Sequence, residues 1–286
     1  MIPAAFDYVA PTSIDEAVSA LGSAGEDGKV LAGGQSLIPV LRLRLAYPST
    51  IVDVGRVPEL RGVRDDGDAI VIGAMTTHYD VLNHPLVLEH APLIAQATAT
   101  VADRQVRHRG TFGGSLAHAD PAGDLGAVAS ALGCEFVAVG PGGERRIAAA
   151  DFFVDYLTTA LSPDELLTAV RVPKLGAGWT SHYEKFNRVA QAWAIVGVAA
   201  LVRRDNGSIA EARIGLTNMG STPRRATAAE SMLSGAAVSG EAIGAAAEHA
   251  ADDTNPPSDL SGQADYRTHL AKVLTKRAVL AAASRE

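Results

Sequence analysis

The sequence predicts an α+β protein: two small α/β units, then a third unit with an antiparallel sheet and helices. Three observations lead there. Residues 1–57 alternate helix-type and strand-type segments, and residues 58–176 repeat that alternation and add a hairpin. Residues 177–286 place strand-type runs first and Ala-rich helical segments after them. The boundary near 176 falls in Lys174-Leu175-Gly176-Ala177-Gly178, which has the composition of a linker.

In the first unit, residues 12–21 read as a helix. Ser13 can cap it, Asp15 and Glu16 suit its first turn, and Ala17, Val18 and Leu21 give an apolar face. Residues 29–32 and 50–54 are short β-type runs. Between them, 37–45 is continuously apolar and is expected as a buried helix, with Pro39 tolerated in its first turn. In the second unit 69–72 is strand-like, Thr76 or Thr77 caps a short helix through Leu82, and 85–103 reads as one longer helix. A Gly-rich loop at 110–115 leads toward a helix at 125–132. Runs at 135–139 and 146–149 flank Gly140-Pro141-Gly142-Gly143, a hairpin by its turn chemistry, and 166–172 is a strand ended by Pro173. In the third unit 181–186, 194–203 and 209–217 are strands, the last two joined by Asp205-Asn206-Gly207. Helices come next at 227–233, 241–251 and 264–283.

Composition excludes several classes. With 286 residues, 47% hydrophobic and 20% charged, the chain reads as an ordinary soluble globule. A net charge of −7 with only scattered Arg pairs argues against a nucleic-acid partner. The one cysteine, Cys134, rules out an intrachain disulfide, a cysteine-held zinc site and an iron–sulfur cluster on this chain. The longest apolar run, 194–202, falls far short of the about 18 residues a membrane span needs, so no integral membrane protein is expected. The opening MIPAAFDYVAP lacks a secretory pattern, and a cytoplasmic location is the expectation.

The glycines carry the first functional signal. A dinucleotide fingerprint starting at Gly140 and Gly142 fails at Arg145, and a P-loop ending in Gly28-Lys29 fails at Ser23 and Val30. Two matching segments remain: Ala32-Gly33-Gly34-Gln35-Ser36 and Thr111-Phe112-Gly113-Gly114-Ser115. Paired glycines can turn successive backbone N–H groups toward one anion, and the adjacent Ser adds a donor. Two such loops are expected to clamp a phosphorylated cofactor, or else to be turns. His118, Asp120 and Asp124 lie close together but lack a helical His pair or further ligands, so no metal site is expected.

Several motifs then share one resemblance. LAGGQSLIPV (31–40), Asp53, IGAMTTH (72–78), RGTFGGSLAHADPAGD (109–124), YEKF (183–186), ARIGLTNMG (212–220) and DYR (265–267) together resemble the FAD-binding medium subunits of the molybdenum hydroxylases, the xanthine dehydrogenase family. Within it the wording is nearest the flavoprotein subunits of the aerobic carbon monoxide dehydrogenases. The resemblance implies an FAD-binding fold of the vanillyl-alcohol-oxidase (PCMH) type over 1–57 and 58–176, followed by a C-terminal flavoprotein domain over 177–286. It implies that the two Gly-Gly segments hold the FAD pyrophosphate and that Asp124 contacts FAD, the competing reading of Asp124 being a helix N-cap. Lys185 matches a family lysine near the flavin, where a cation favours the anionic reduced ring. Trp193 falls where relatives carry an aromatic beside the isoalloxazine.

The function so implied is that of an electron-transfer subunit with no general acid–base pair of its own. The resemblance implies a large molybdopterin subunit and a small [2Fe–2S] subunit as partners, in a dimer of heterotrimers, with a quinone or another carrier as acceptor. Two departures from the carbon monoxide dehydrogenase pattern, Gln35 for His and Gln191-Ala192 for Gly-Asp, leave open an N-heterocycle hydroxylase of the quinoline, nicotine or xanthine type. A self-sufficient flavin oxidoreductase is the reading from another class.

Overall fold

The first strand, β1 (Asp7–Val9), is three exposed residues, too short for an alternating pattern to reveal it. The computed structural model, which describes residues 2–285, pairs it in parallel with β3 (Thr50–Asp53), and β3 in turn with β2 (Gly28–Leu31). Between β1 and β2 runs α1 (Ile14–Ala24). Ser13 caps it by accepting the Glu16 N–H, and Ala17, Val18 and Leu21 are buried. The segment expected as a buried helix behaves otherwise. α2 (Leu37–Arg42) is short and buries only Leu41, while Leu43 and Leu45 are 58% and 71% exposed. A left-handed Arg44 (φ +56) comes after the helix, and a three-stranded sheet offers too little surface to cover that many leucines.

The second unit is a five-stranded antiparallel sheet in the order β4-β5-β10-β6-β7. Its strands are β4 (Val63–Asp65), β5 (Ala69–Gly73), β6 (Glu135–Gly140), β7 (Gly143–Ala148) and β10 (Leu166–Pro173). The hairpin pairs Gly140 with Gly143 as its turn chemistry requires. Between β5 and β6 lie α3 (His78–Asn83), capped by Thr77, then α4 (Pro85–His90), α5 (Pro92–Ala99), α6 (Arg104–Arg107), α7 (Phe112–His118) and α8 (Asp124–Leu132). The single helix expected over 85–103 is therefore two. Pro92 has no N–H to continue α4 and holds Ala91 out of helical geometry, at φ −143°. Of the glycines expected in a loop at 110–115, Gly113 and Gly114 fall inside the first turn of α7. α9 (Ala149–Phe152) and the small pair β8 (Phe153–Asp155) and β9 (Thr158–Thr159) complete the unit.

The third unit is an antiparallel sheet of β11 (Trp179–Phe186), β12 (Val196–Asp205), β13 (Ser208–Thr217) and β14 (Arg224–Arg225). Asn206 (φ +47) and Gly207 (φ +81) form the tight turn between β12 and β13. After the sheet come α10 (Thr227–Leu233), α11 (Gly240–Ala247) and α12 (Ala264–Ala283), and α12 lies along β12 and β11.

β12 explains the longest apolar run in the sequence. It is buried from Val196 to Val202 because both faces are covered. Val196, Val198, Ala200 and Val202 join the core built with α12, whereas Ala199 and Leu201 join the core built around α5 and α8 of the second unit. Apolar burial stabilises by roughly 25 cal/mol per Å², so such a doubly covered strand ties the two units together. Among the described residues no helix is long and apolar enough to cross a membrane.

Candidate functional site

The two Gly-Gly segments, distant in sequence, meet backbone to backbone. A Cβ on Gly33 would lie 2.2 Å from the Arg109 carbonyl oxygen and 2.7 Å from Gly110 Cα, and one on Gly114 would lie 3.2 Å from the Ala32 Cβ. Their donors are used differently. In the first segment, which joins β2 to α2, the N–H groups of Gly33, Gly34, Gln35 and Ser36 meet no acceptor among the described residues. Gly34 takes φ +73, and the Gln35 amide folds back to donate to the Gly33 carbonyl at 3.1 Å.

The second segment departs from the expected anion nest. Phe112 N–H donates to Thr76 O and Gly113 N–H to Ala74 O, both at 2.9 Å. Gly114 N–H donates to Thr111 Oγ1 at 3.2 Å, and Ser115 N–H to Thr111 O. The Ser115 hydroxyl donates to Phe112 O at 2.8 Å. A Cβ on Gly113 would sit 2.4 Å from the Ala74 Cβ, so this glycine serves close packing on the segment that precedes α3. IGAMTTH acquires a role here: Ala74 and Thr76 supply the carbonyls that hold the second segment, and His78 N–H donates to Gly110 O at 2.9 Å. The first segment thus presents N–H groups without acceptors among the described residues, while the second spends its donors within the fold.

A second group assembles beyond the other end of α7, about 10 Å along a helix of this length. Asp124 is the first residue of α8, capped by Gly123, and its carboxylate does not cap the helix. Instead Lys185 Nζ donates to Asp124 Oδ2 and the Tyr183 hydroxyl to Oδ1, each at 2.8 Å, with both Asp124 and Lys185 side chains only 4% exposed. Tyr183 Oη also lies 3.3 Å from Thr217 Oγ1, and a Cβ on Gly197 would fall 2.5 Å from it, so Gly197 makes the room. Burial pushes the Asp124 carboxyl up, against the pull of the Lys185 and Tyr183 donors. Burial and the Asp124 charge push the Tyr183 hydroxyl up well above its ordinary range. Lys185 is thus a neutralised cation held below the surface.

Trp193 is the exposed member, 53% accessible, with its ring edge 3.8 Å from where a Gly123 Cβ would be. The turn 100–103 is fixed from three sides. Lys185 Nζ donates to Thr100 O at 3.1 Å, Arg107 Nη1 to Val101 O at 2.8 Å and Ala102 O at 3.2 Å, and the Gln191 amide to the Asp103 carboxylate. Sequence reasoning assigned no role to Tyr183, Arg107, Gln191 or Thr217. Tyr183 lies in YEKF but carried no charge pattern of its own, and the others act through partners remote in sequence.

A ligand with an anionic middle and an aromatic end fits this arrangement. The unpartnered N–H run of 33–36 suits a diphosphate without any lysine, and the exposed Trp193 face suits a planar ring. FAD has both parts, so the residues present fit the cofactor that the sequence resemblance implies.

Comparison with known proteins agrees. The family described as the FAD binding domain in molybdopterin dehydrogenase matches residues 4–175, and the CO dehydrogenase flavoprotein C-terminal domain matches residues 181–282. The chain is 43% identical to the carbon monoxide dehydrogenase medium chain of Hydrogenophaga pseudoflava, covering 100% of this chain and 99% of that one. A solved carbon monoxide dehydrogenase from the same organism, lacking the Mo-pyranopterin moiety of its cofactor, superposes with a TM-score of 0.97 over 99% of both chains at 45% identity. The nicotine 6-hydroxylase medium subunit of Paenarthrobacter nicotinovorans is 38% identical, with 98% of each chain covered.

Proposed function

Because this chain belongs to the FAD-binding medium subunits of the molybdenum hydroxylases, we propose that it is the electron-transferring flavoprotein subunit of a carbon monoxide dehydrogenase-like enzyme. Substrate oxidation then belongs to a large partner subunit that carries the molybdopterin cofactor. The [2Fe–2S] clusters belong to a small partner subunit, in a dimer of heterotrimers. Bound FAD supplies the electron relay between those clusters and an external acceptor such as a quinone.

The chain's own residues bind and shield. Gly33, Gly34, Gln35 and Ser36 hold the diphosphate through their N–H groups, the observation that supports this reading best. Thr111, Phe112, Gly113, Gly114 and Ser115 back that loop with closely packed backbone, and Ala32 packs against Gly114. Trp193 covers one side of the ring site and excludes water there. Lys185, its charge met by Asp124, acts mainly by holding Thr100 and so the 100–103 turn. Residues 1–57 and 58–176 serve as the two FAD-binding subdomains and 177–286 as the C-terminal flavoprotein domain.

The Gln35 side chain, folded onto its own loop, and the 38% identity to the nicotine 6-hydroxylase subunit favour a second reading, the medium subunit of an N-heterocycle hydroxylase. Purification from the native host through a tag on this chain tests both. Flavin and iron–sulfur absorbance with two further polypeptides are expected, and bleaching of those bands by carbon monoxide or by an N-heterocycle separates the readings. Flavin on a solitary chain would point to a self-sufficient oxidoreductase. Absence of a chromophore after FAD is added back would overturn the cofactor assignment.

A further inference from the structure

Trp193 and the Gly123–Asp124 turn belong to different units, and one residue ties them together. Asn218, the first residue after β13, takes a left-handed backbone at φ +63, a conformation that Asn tolerates better than most residues. In that pose its N–H donates to Pro121 O at 2.8 Å, which anchors the turn leading into Gly123 and Asp124. Its side-chain amide donates elsewhere, to Ala194 O at 2.8 Å and Ile195 O at 3.3 Å, the carbonyls of the two residues after Trp193. Asn218 is buried, and so is a second anchor. Arg267, fully buried on α12, donates through Nη1 to the same Ile195 carbonyl and through Nη2 to Asp259 Oδ1 at 2.7 Å. Residues 188–191, by contrast, are exposed. The rest of the loop is held by Ile195 N–H to Phe186 O at 2.8 Å and by the Gln191–Asp103 contact.

We infer that Asn218 is a positioning residue for the flavin: it sets how the Trp193 ring seats against the Gly123–Asp124 backbone, with Arg267 as its support. This rests on the proposed placement of the flavin ring at Trp193. The left-handed backbone of Asn218 and its amide have separable jobs. The first places the 121–124 turn, and the second places Trp193.

Asn218→Gly separates them, because glycine keeps the left-handed backbone and the Pro121 contact while removing both amide donors. The test uses the tagged complex, stripped of flavin and titrated with FAD, with the visible band shape of the bound flavin and its midpoint potential as further readouts. Asn218→Gly is expected to weaken FAD binding about five- to tenfold, the range for losing neutral hydrogen bonds, and to alter the band shape. In a Trp193→Ala background the same substitution is expected to add nothing, since the residue it positions is gone. Equal, additive losses in both backgrounds would overturn the inference and make Asn218 a purely structural residue. If Trp193→Ala alone changes neither affinity nor spectrum, it is the placement of the ring at Trp193 that fails, and the inference falls with it. Should the glycine variant be recovered unfolded, Asn218→Ala, which lacks both donors and places no charge against the two carbonyls, takes its place with the same outcomes.

Discussion

At Gly33 it is backbone that excludes a side chain. The Arg109 carbonyl would sit 2.2 Å from a Cβ, and a main-chain atom cannot rotate away as a side-chain tip can. Gly33→Ala must therefore part the two segments, and FAD affinity of the stripped complex is expected to fall at least about tenfold in a fluorescence titration, with little effect on overall fold. Gly113 looks the same in sequence but faces Ala74 and donates within the fold, so the shared spelling did not reveal that the two pairs are different devices. His78 carries a separate consequence. Burial, with Arg107 adding to it, pulls its pKa from 6.5 down to about 4. The folded protein holds this imidazole neutral, whereas the unfolded chain protonates it below its ordinary value. Stability is thus full above about pH 6.5 and is lost as pH falls toward about 4, by about 3 kcal/mol at most. His78→Phe is expected to flatten the thermal midpoint between those pH values, and an unchanged slope would assign the acid sensitivity elsewhere.

Among the elements, β13 and α8 are in direct contact because Gly215 has no side chain. A Cβ there would lie 2.1 Å from the Ala127 carbonyl oxygen, and one on Gly126 would lie 2.6 Å from Pro223 Cγ. Gly215→Ala has to lift the C-terminal sheet from α8, and overpacking of this kind costs about 1–3 kcal/mol. A lower urea midpoint with an unchanged slope is the expected result, and a midpoint within error of wild type would mean that the sheet yields at no cost. Local chemistry announced many of these elements. Ser13 and Thr77 as caps, Gly140-Pro141-Gly142-Gly143 and Asn206-Gly207 as turns, and Pro173 as a strand end act within a few residues of themselves. The one long helix expected over 85–103 misjudged Pro92, which breaks it, and the buried helix expected over 37–45 assumed a neighbour that the small first sheet does not provide.

Across the whole molecule, the Asp124–Lys185 pair joins α8 of the second unit to β11 of the third beside a shared core. Removing one partner leaves a buried charge alone. Asp124→Asn or Lys185→Met is expected to cost about 3–5 kcal/mol, while the two together cost less than the sum of the single changes. Thermal or urea unfolding of the three variants measures this, and simple additivity would show that the charges do not depend on one another. The same comparison should register in FAD binding, because Lys185 also holds Thr100 of the turn that Gln191, two residues before Trp193, contacts at Asp103.

The sequence alone was enough for the α+β class, the Gly-Gly segments, the Asp124, Lys185 and Trp193 candidates and the family resemblance. All of these rest on residue type and short spacing. Tertiary structure decided how those residues are used. It showed that, among the described residues, the first Gly-Gly segment keeps its N–H groups free while the second spends them on Ala74, Thr76 and Thr111. It showed that the Lys185 charge is met by Asp124, and that Asn218 bonds both the Pro121 carbonyl and the carbonyls of Ala194 and Ile195. Hydrogen-bond partners and buried charges depend on groups brought close by folding, and no local pattern encodes a neighbour 59 or 61 residues away, as Tyr183 and Lys185 are from Asp124.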